Sequence, residues 1–344
     1  MKRMFPLLLA LLLLCGCTAA PAKTEETASK RYEATFLTLF DTVTTIVGYA
    51  ETEADFTATA QAIHDDLLEY HQLYDIYNEY EGMNNLKTVN DHAGEAPVSV
   101  DRKIIDLLLF SKDLYTRTGG KVNIAMGSVL SLWHDARELG VQYPDEAALP
   151  DRDALERAAA HTDINSIQID EEKDTVFFSD PEVRLDVGAI AKGYAVQQVC
   201  GSAPAGLLIS VGGNVCATGP KPETGQPWVV GIQNPDAPEE YLHTIYVEDF
   251  SVVTSGDYQR YFTVDGVAYH HIIDPDTLFP ADYWRSVTIL CPDSGLADAL
   301  STALFTLPQQ EGQALLDAFG AQAMWVRPDG SILYSPGFRE HIRT

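Results

Sequence analysis

Leu185-Asp-Val-Gly-Ala-Ile-Ala-Lys-Gly-Tyr-Ala195 sets one acid, two glycines, a single lysine and a tyrosine in an otherwise apolar stretch. Val183 to Val187 alternates as a strand does, Gly188 interrupts the pattern, and Ala189 to Cys200 can continue as a helix. A strand feeding a helix leaves main-chain amides at the junction, where they favour anions, and Lys192 adds a positive charge beside them. Such a junction suits a phosphorylated ligand. It also has a plainer reading, an aspartate capping a helix and a lysine in solvent, and the junction alone does not choose.

Outward from it, both periodicities alternate along the chain. Thr35 to Tyr49 reads as a strand or hairpin, and Glu53 to Tyr77 as a helix with Phe56, Ala60, Ile63, Leu67, Tyr70 and Tyr74 on one face. Met83 to Pro97 is polar and turn-rich, Val100 to Thr118 is a second helix ended by Gly119-Gly120, and Asp151 to His161 a third. Strands are expected at 164–169, 175–179, 183–187, 206–211, 228–233, 244–247, 261–264, 271–273 and 286–290. Helices at 295–307 and 309–319 and a hairpin at 323–334 close the chain. No repeat or internal linker interrupts this order, which predicts one α+β unit over residues 32–344, with two lobes around a cleft.

The N-terminus predicts export. Lys2 and Arg3 precede an apolar run, Phe5 to Leu14, too short to span a bilayer, and Leu14-Cys-Gly-Cys17 resembles a lipoprotein-processing site. Residues 1–16 are then a signal peptide, Cys17 the lipidated residue, and residues 17–31 a flexible tether holding the protein on the outer face of the cytoplasmic membrane or in the periplasm. The plainer reading is an ordinary signal peptide cut just beyond Ala19 or Ala20. Processing at Cys17 leaves 21 basic against 50 acidic residues, a net charge of −29. Such acidity argues against nucleic acid as a partner. It would also repel an anionic substrate unless a cation or a local basic pocket screened it. Of the five cysteines, Cys200, Cys216 and Cys291 remain besides Cys17, without metal-binding spacing.

Three further segments carry chemistry. In Gly295 to Phe305, Leu296, Leu300, Ala303 and Leu304 share one face, while Asp298 and Thr302 stand one turn apart beyond that stripe. A carboxylate and a hydroxyl so placed are hard oxygen ligands suited to Mg²⁺; the bland alternative is a solvated polar face. Val211-Gly-Gly-Asn-Val215 and Thr254-Ser-Gly-Asp257 read as glycine turns between strands, and Thr254, Ser255 and Gly256 could cradle phosphate oxygens. His270 and His271 precede Ile-Ile-Asp-Pro275, where a histidine is more often structural than catalytic.

Taken in order, Asp186-x-x-x-Ala-x-Lys-Gly-Tyr194, Val253-Thr-Ser-Gly-Asp-Tyr258, His270-His-Ile-Ile-Asp-Pro275 and the Gly295–Phe305 helix resemble the ApbE family of bacterial flavin transferases, from about Thr35 to the C-terminus. The resemblance implies a T-fold-related α+β architecture and transfer of the FMN moiety of FAD to a threonine of an acceptor protein. It implies Mg²⁺ held by Asp298, Thr302 and the main-chain oxygen of Ala189, and His271 as general base. It implies FAD contacts at Asp186 and Lys192, Ile272 packed near the ligand, Phe40 against the ring system, and Gly82 and Met83 beside the cofactor. Asn123 and Leu278 depart from the family's usual aspartate and glycine, and Ser301 stands where some relatives carry a second acid. Implied acceptors are FMN-binding-domain proteins or subunits of membrane redox complexes. Two other functions fit the same residues: an FAD pyrophosphatase, and a non-catalytic flavin-binding lipoprotein.

Overall fold

The computed structural model describes residues 29–344; Cys17 and the expected signal segment lie outside the described residues. Strands β1 (Lys30–Leu39) and β2 (Thr42–Ala50) form the opening hairpin. Helix α1 (Glu53–Tyr74) starts at Thr52, whose hydroxyl accepts from the Asp55 amide. It stops at Asp75, short of the expected Tyr77, because the Asp75 carboxylate accepts from the Tyr77 and Asn78 amides and turns the chain. The stretch read as turn-rich contains α2 (Leu86–Asp91), started by a capping box between Asn85 and Thr88.

Strand β3 (Val98–Ser99) and α3 (Arg102–Arg117) follow. Next comes α4 (Gly127–Gln142), a helix the sequence reading omits altogether. Its start carries no capping side chain, and Gly127 and Gly140 dilute its apolar periodicity. Gly127 is required where it stands: a Cβ there would lie 2.5 Å from the Arg184 carbonyl oxygen. Helix α5 (Arg152–Ala159) and strands β4 (Ile167–Asp170) and β5 (Thr175–Phe178) lead to α6 (Ala191–Ser202).

The chain continues through β6 (Leu208–Val211), β7 (Asn214–Ala217), β8 (Trp228–Asn234), β9 (Ala237–Val247) and β10 (Ser251–Gly256). Then come β11 (Tyr261–Val264), β12 (Val267–His270) and β13 (Ser286–Cys291). Helices α7 (Ser294–Phe305) and α8 (Gln309–Phe319) and strands β14 (Gln322–Val326) and β15 (Ile332–Tyr334) complete it.

Eight strands form one sheet in the order β1-β2-β6-β7-β10-β13-β14-β15, every neighbouring pair antiparallel. Helices α1, α6 and α7 cover one face, and Ile46, Leu67, Val196, Ile289 and Leu300 belong to the core between them. The β8–β9 ribbon covers the other face around Trp228, Val252 and Met324. A third, smaller cluster joins α4, α5 and the β11–β12 hairpin through Val129, Trp133, Leu155 and Phe262. This is the expected α+β class.

Two strand expectations and one turn expectation change. Val183–Val187 is extended and buried at alternate residues, but no strand pairs with it. Instead the buried Asn90 side chain donates to the Leu185 carbonyl and accepts from the Leu185 amide, while the Ile124 carbonyl accepts from Asp186. Arg184 adds a single parallel bridge to Met126, so a side chain and one backbone bridge stand in for a neighbouring strand, which alternation cannot reveal. Thr254 to Gly256 is not a turn but the end of β10, in register with Ser286 to Thr288. Residues 271–273 lie just past β12 rather than in a strand of their own. Cys200, Cys216 and Cys291 are free thiols.

Candidate active site

A cleft of about 910 Å³ is lined by the β1–β2 turn, the segment before α6, the starts of β7 and α4, the end of β10 and the polar side of α7. Its tightest corner is where α6 crosses α7. Gly193 permits the approach: a Cβ there would lie 2.4 Å from both the Asp298 Cβ and the Ser294 carbonyl oxygen. The Gly193 amide donates to Asp298 Oδ2 at 2.8 Å, and Lys192 Nζ stands 3.9 Å from the same oxygen. Asp298 is only 4% exposed, so the polar face of α7 is buried rather than solvated. Burial pushes its carboxyl pKa up, against the opposing pull of Lys192, the Gly193 amide and the Asn214 side chain.

Thr302 and Ala189 line the same cleft. A buried carboxylate, a hydroxyl and a main-chain carbonyl make a hard-oxygen donor set, and the nearest full positive charge is a lysine at ion-pair limit. These residues fit a divalent cation such as Mg²⁺. Ser301, at the position of a second acid in some relatives, points elsewhere: its hydroxyl pairs with Ser255 at 2.7 Å and donates to the Asp298 carbonyl.

The β6–β7 turn delivers Asn214 to this corner. Gly212 and Gly213 take φ of 52° and 92°, the two-residue hairpin geometry that glycine adopts at no steric cost. The β1–β2 turn has the same form but uses Phe40 and Asp41, both at φ 51°. A phenylalanine in the left-handed region is strained by roughly 1–2 kcal/mol. That strain sets Phe40 in the cleft wall, its ring edge-on to His71 with centroids 5.4 Å apart.

Asp186 and Ile272 also line the cleft. The Asp186 carboxylate accepts from the Gly188 amide at 2.8 Å, and burial pushes its pKa up despite that bond. Thr254, Ser255 and Gly256 reach the cleft, but the Thr254 hydroxyl pairs with Thr288 at 2.9 Å and that of Ser255 with Ser301. Gly82 and Met83 do not line it. Met83 packs against the main core, and its amide donates to Tyr80, while Tyr77 and Asn78 take the cleft position.

The two histidines divide their work. His270 Nε2 donates to the Ala281 carbonyl at 2.7 Å and its Nδ1 accepts from the Ile272 amide at 3.2 Å, which fixes a neutral ring. His271 Nδ1 donates to the Arg260 carbonyl at 3.2 Å, leaving Nε2 unprotonated. His271 is exposed to the cleft yet crowded by its walls. That desolvation, with the Arg260 guanidinium next, holds its pKa well below the usual histidine value.

Sequence reading missed Tyr77, His134, Arg137, Arg260 and Asn214. His134 and Arg137 lie on α4 at the spacing that, with Leu130 and Trp133, makes one helical face to the cleft. Tyr77 stacks on His134 with centroids 5.2 Å apart, and Arg137 Nη2 lies 3.0 Å from His134 Nδ1. Neither Arg137 nor Arg260 has a carboxylate partner among the described residues, in a chain with 50 acids. The one available signal was an arginine beside a histidine in a segment not recognised as helix.

Residues 40–325 match the model of the ApbE family. A Treponema pallidum protein named FAD:protein FMN transferase is 38% identical over 277 residues, covering 75% of each chain. A Klebsiella pneumoniae protein of the same name is 32% identical over 266 residues, 74% of this chain and 79% of its own. Among solved structures, the ApbE protein of Thermotoga maritima superposes with a TM-score of 0.80 at 31% identity, covering 92% of this chain and all of its own. The flavin transferase ApbE of Vibrio cholerae shares the fold at 24% identity, with a TM-score of 0.74, over 91% of this chain and 99% of its own. With the matched family spanning the cleft and both helices of its tight corner, the chain belongs to the ApbE family.

Proposed function

We propose that the protein is an FAD:protein FMN transferase that uses Mg²⁺ to move the FMN moiety of FAD to a threonine hydroxyl of an acceptor flavoprotein, releasing AMP. The α6–α7 corner carries this reading: Asp298, Thr302 and the Ala189 carbonyl bring hard oxygens to one end of a cleft large enough for a dinucleotide. Mg²⁺ held there would neutralise charge on the pyrophosphate and on the departing AMP. Lys192 adds a second positive charge at the same end. Asp186, Ile272 and the strained Phe40 would hold the riboflavin side.

His271 presents a basic Nε2 toward the cleft and takes the acceptor threonine's proton. The threonine oxygen forms a bond to the phosphorus on the riboflavin side, and the bond from that phosphorus to the bridging oxygen breaks, sending the oxygen away with AMP. Bound pyrophosphate, being anionic, draws the His271 pKa back up toward neutrality, where a base works best. With water in place of threonine, the same geometry would yield free FMN and AMP. As part of the same proposal, a lipid on Cys17 holds the enzyme at the outer face of the membrane, beside acceptors such as FMN-binding-domain proteins or subunits of redox complexes.

The test incubates the protein with FAD, Mg²⁺ and an FMN-binding-domain protein from the same genome, following acceptor mass and AMP. Acceptor gaining one FMN with matching AMP is the expected result. Free FMN and AMP without labelling would make it a pyrophosphatase, and unchanged bound FAD would leave a binding protein.

A further inference from the structure

Asn214 is the first residue of β7, paired with Val211 across the glycine turn and with Val253 of β10. It is 1% exposed, yet its side chain lines the cleft at the corner that holds Asp298. Its amide nitrogen side lies against the Asp298 carboxylate. Its side-chain oxygen is buried and has no hydrogen-bond donor among the described residues. Leaving a buried amide oxygen unpaired is costly, and of the nine buried side-chain atoms without a partner among the described residues only that of Asn214 belongs to a residue lining the cleft, where a ligand can supply the missing partner. The turn that places it is also specialised, with two consecutive glycines at positive φ.

A purely structural asparagine satisfies both ends of its amide, as Asn90 of α2 does with the Leu185 amide and carbonyl. A flavin-contacting asparagine would not need its nitrogen turned to the metal-site carboxylate. We propose that Asn214 is a positioning residue of the cation site: its N–H orients the Asp298 carboxylate, and its side-chain oxygen joins the oxygen shell around the bound divalent cation. The inference rests on the metal reading above and extends it to a residue outside the Asp298, Thr302 and Ala189 set. Partners of metal ligands typically change affinity 10–100-fold when removed.

The test measures Mn²⁺ binding to the full-length protein without FAD, by electron paramagnetic resonance titration of free Mn²⁺, together with thermal unfolding. Wild type, Asp298→Asn, Asn214→Leu and Asn214→Asp are compared. Asn214→Leu keeps the branched outline of the side chain and removes both polar ends; its Mn²⁺ Kd should rise at least 10-fold. Asn214→Asp keeps the oxygen and adds a like charge beside Asp298. Without metal it should melt below wild type, and Mn²⁺ should raise its Tm by more than it raises that of wild type. This second variant decides the matter if Asn214→Leu does not fold.

Asn214→Leu binding Mn²⁺ with wild-type Kd, or Asn214→Asp gaining no larger metal-induced shift than wild type, would overturn the role of Asn214. In both cases wild type binds and Asp298→Asn does not, so the metal reading would stand. Wild type failing to bind Mn²⁺ would overturn both.

Discussion

The α6–α7 corner and the α4 wall share one cleft but are built on opposite plans. At the corner, backbone approaches side chain so closely that only glycine fits at position 193, and the functional carboxylate is sealed from water. Along α4 the cleft residues His134 and Arg137 are partly exposed, stacked and hydrogen-bonded to neighbours but held by no ion pair to Arg137. Close packing fixes positions to fractions of an ångström, the precision that orienting reacting groups requires. An open wall whose Arg137 has no carboxylate partner among the described residues is instead suited to attracting an anion while tolerating variation in its shape. The corner should fail abruptly when altered, and the wall gradually.

Asp298→Asn should have the largest effect: a loss of AMP release of about 10³-fold, some 4 kcal/mol. Its Tm should hold or rise, because a neutral amide replaces a carboxylate whose burial is unfavourable. Activity within tenfold of wild type would show that the corner is not where the chemistry happens. Next comes Gly193→Ala, where one methyl must push α6 from α7 at a cost of about 1–3 kcal/mol. Calorimetry should show a Tm lower by several degrees, and activity should fall with it.

On the open wall, Arg137→Ala should raise KM for FAD by up to about tenfold with little change in kcat or Tm. An equal fall in kcat with KM unchanged would move Arg137 from binding to the reacting centre and erase the contrast between the walls.

A pH titration tests the wall that carries the histidines. His270 and His271 both sit below the usual histidine pKa, chiefly through burial. The unfolded chain therefore binds more protons than the folded one below about pH 6.5, and stability should be full above that value and drop as pH falls through it. Urea unfolding at pH 7.5 and 5.5 should show His270→Gln losing about 1 kcal/mol less than wild type over that interval. An identical loss would mean that His270 accepts a proton in the fold.

The smallest effect belongs to Leu278, which takes φ 62° in the loop after Asp274 while its carbonyl accepts from the Trp133 indole at 2.9 Å. Leu278→Gly relieves left-handed strain but gives up packing against the third cluster, so the two nearly cancel. A stability change under about 1 kcal/mol is expected from urea melts.

The same contrast explains what the sequence made legible. The corner was visible because its residues fall on strong local patterns: an apolar helix with Asp298 and Thr302 one turn apart, and a glycine-rich junction with Lys192. The α4 wall was not, because that helix has no cap, two glycines and few buried positions. The departure at Leu278 was legible as a missing glycine, and the loop keeps the left-handed turn that a glycine would favour. Asn214 was visible only as part of a turn, since a buried oxygen without a partner is a property of three-dimensional packing. The strand expected at 183–187 shows the converse error, alternation supported by an asparagine side chain in place of a strand.

The position of β2 in the sheet governs how the molecule can assemble. Its neighbour on one side is β1, next along the chain, but on the other it is β6, with residues 51–207 intervening. Pairing β2 with β6 therefore closes a long loop before any of its contacts can form. Contacts so distant along the chain slow folding, and a nascent chain meanwhile carries an unpaired hairpin edge open to association with other chains. The cleft is lined by residues from Phe40 to Thr302, so each of its walls depends on contacts between segments far apart along the chain.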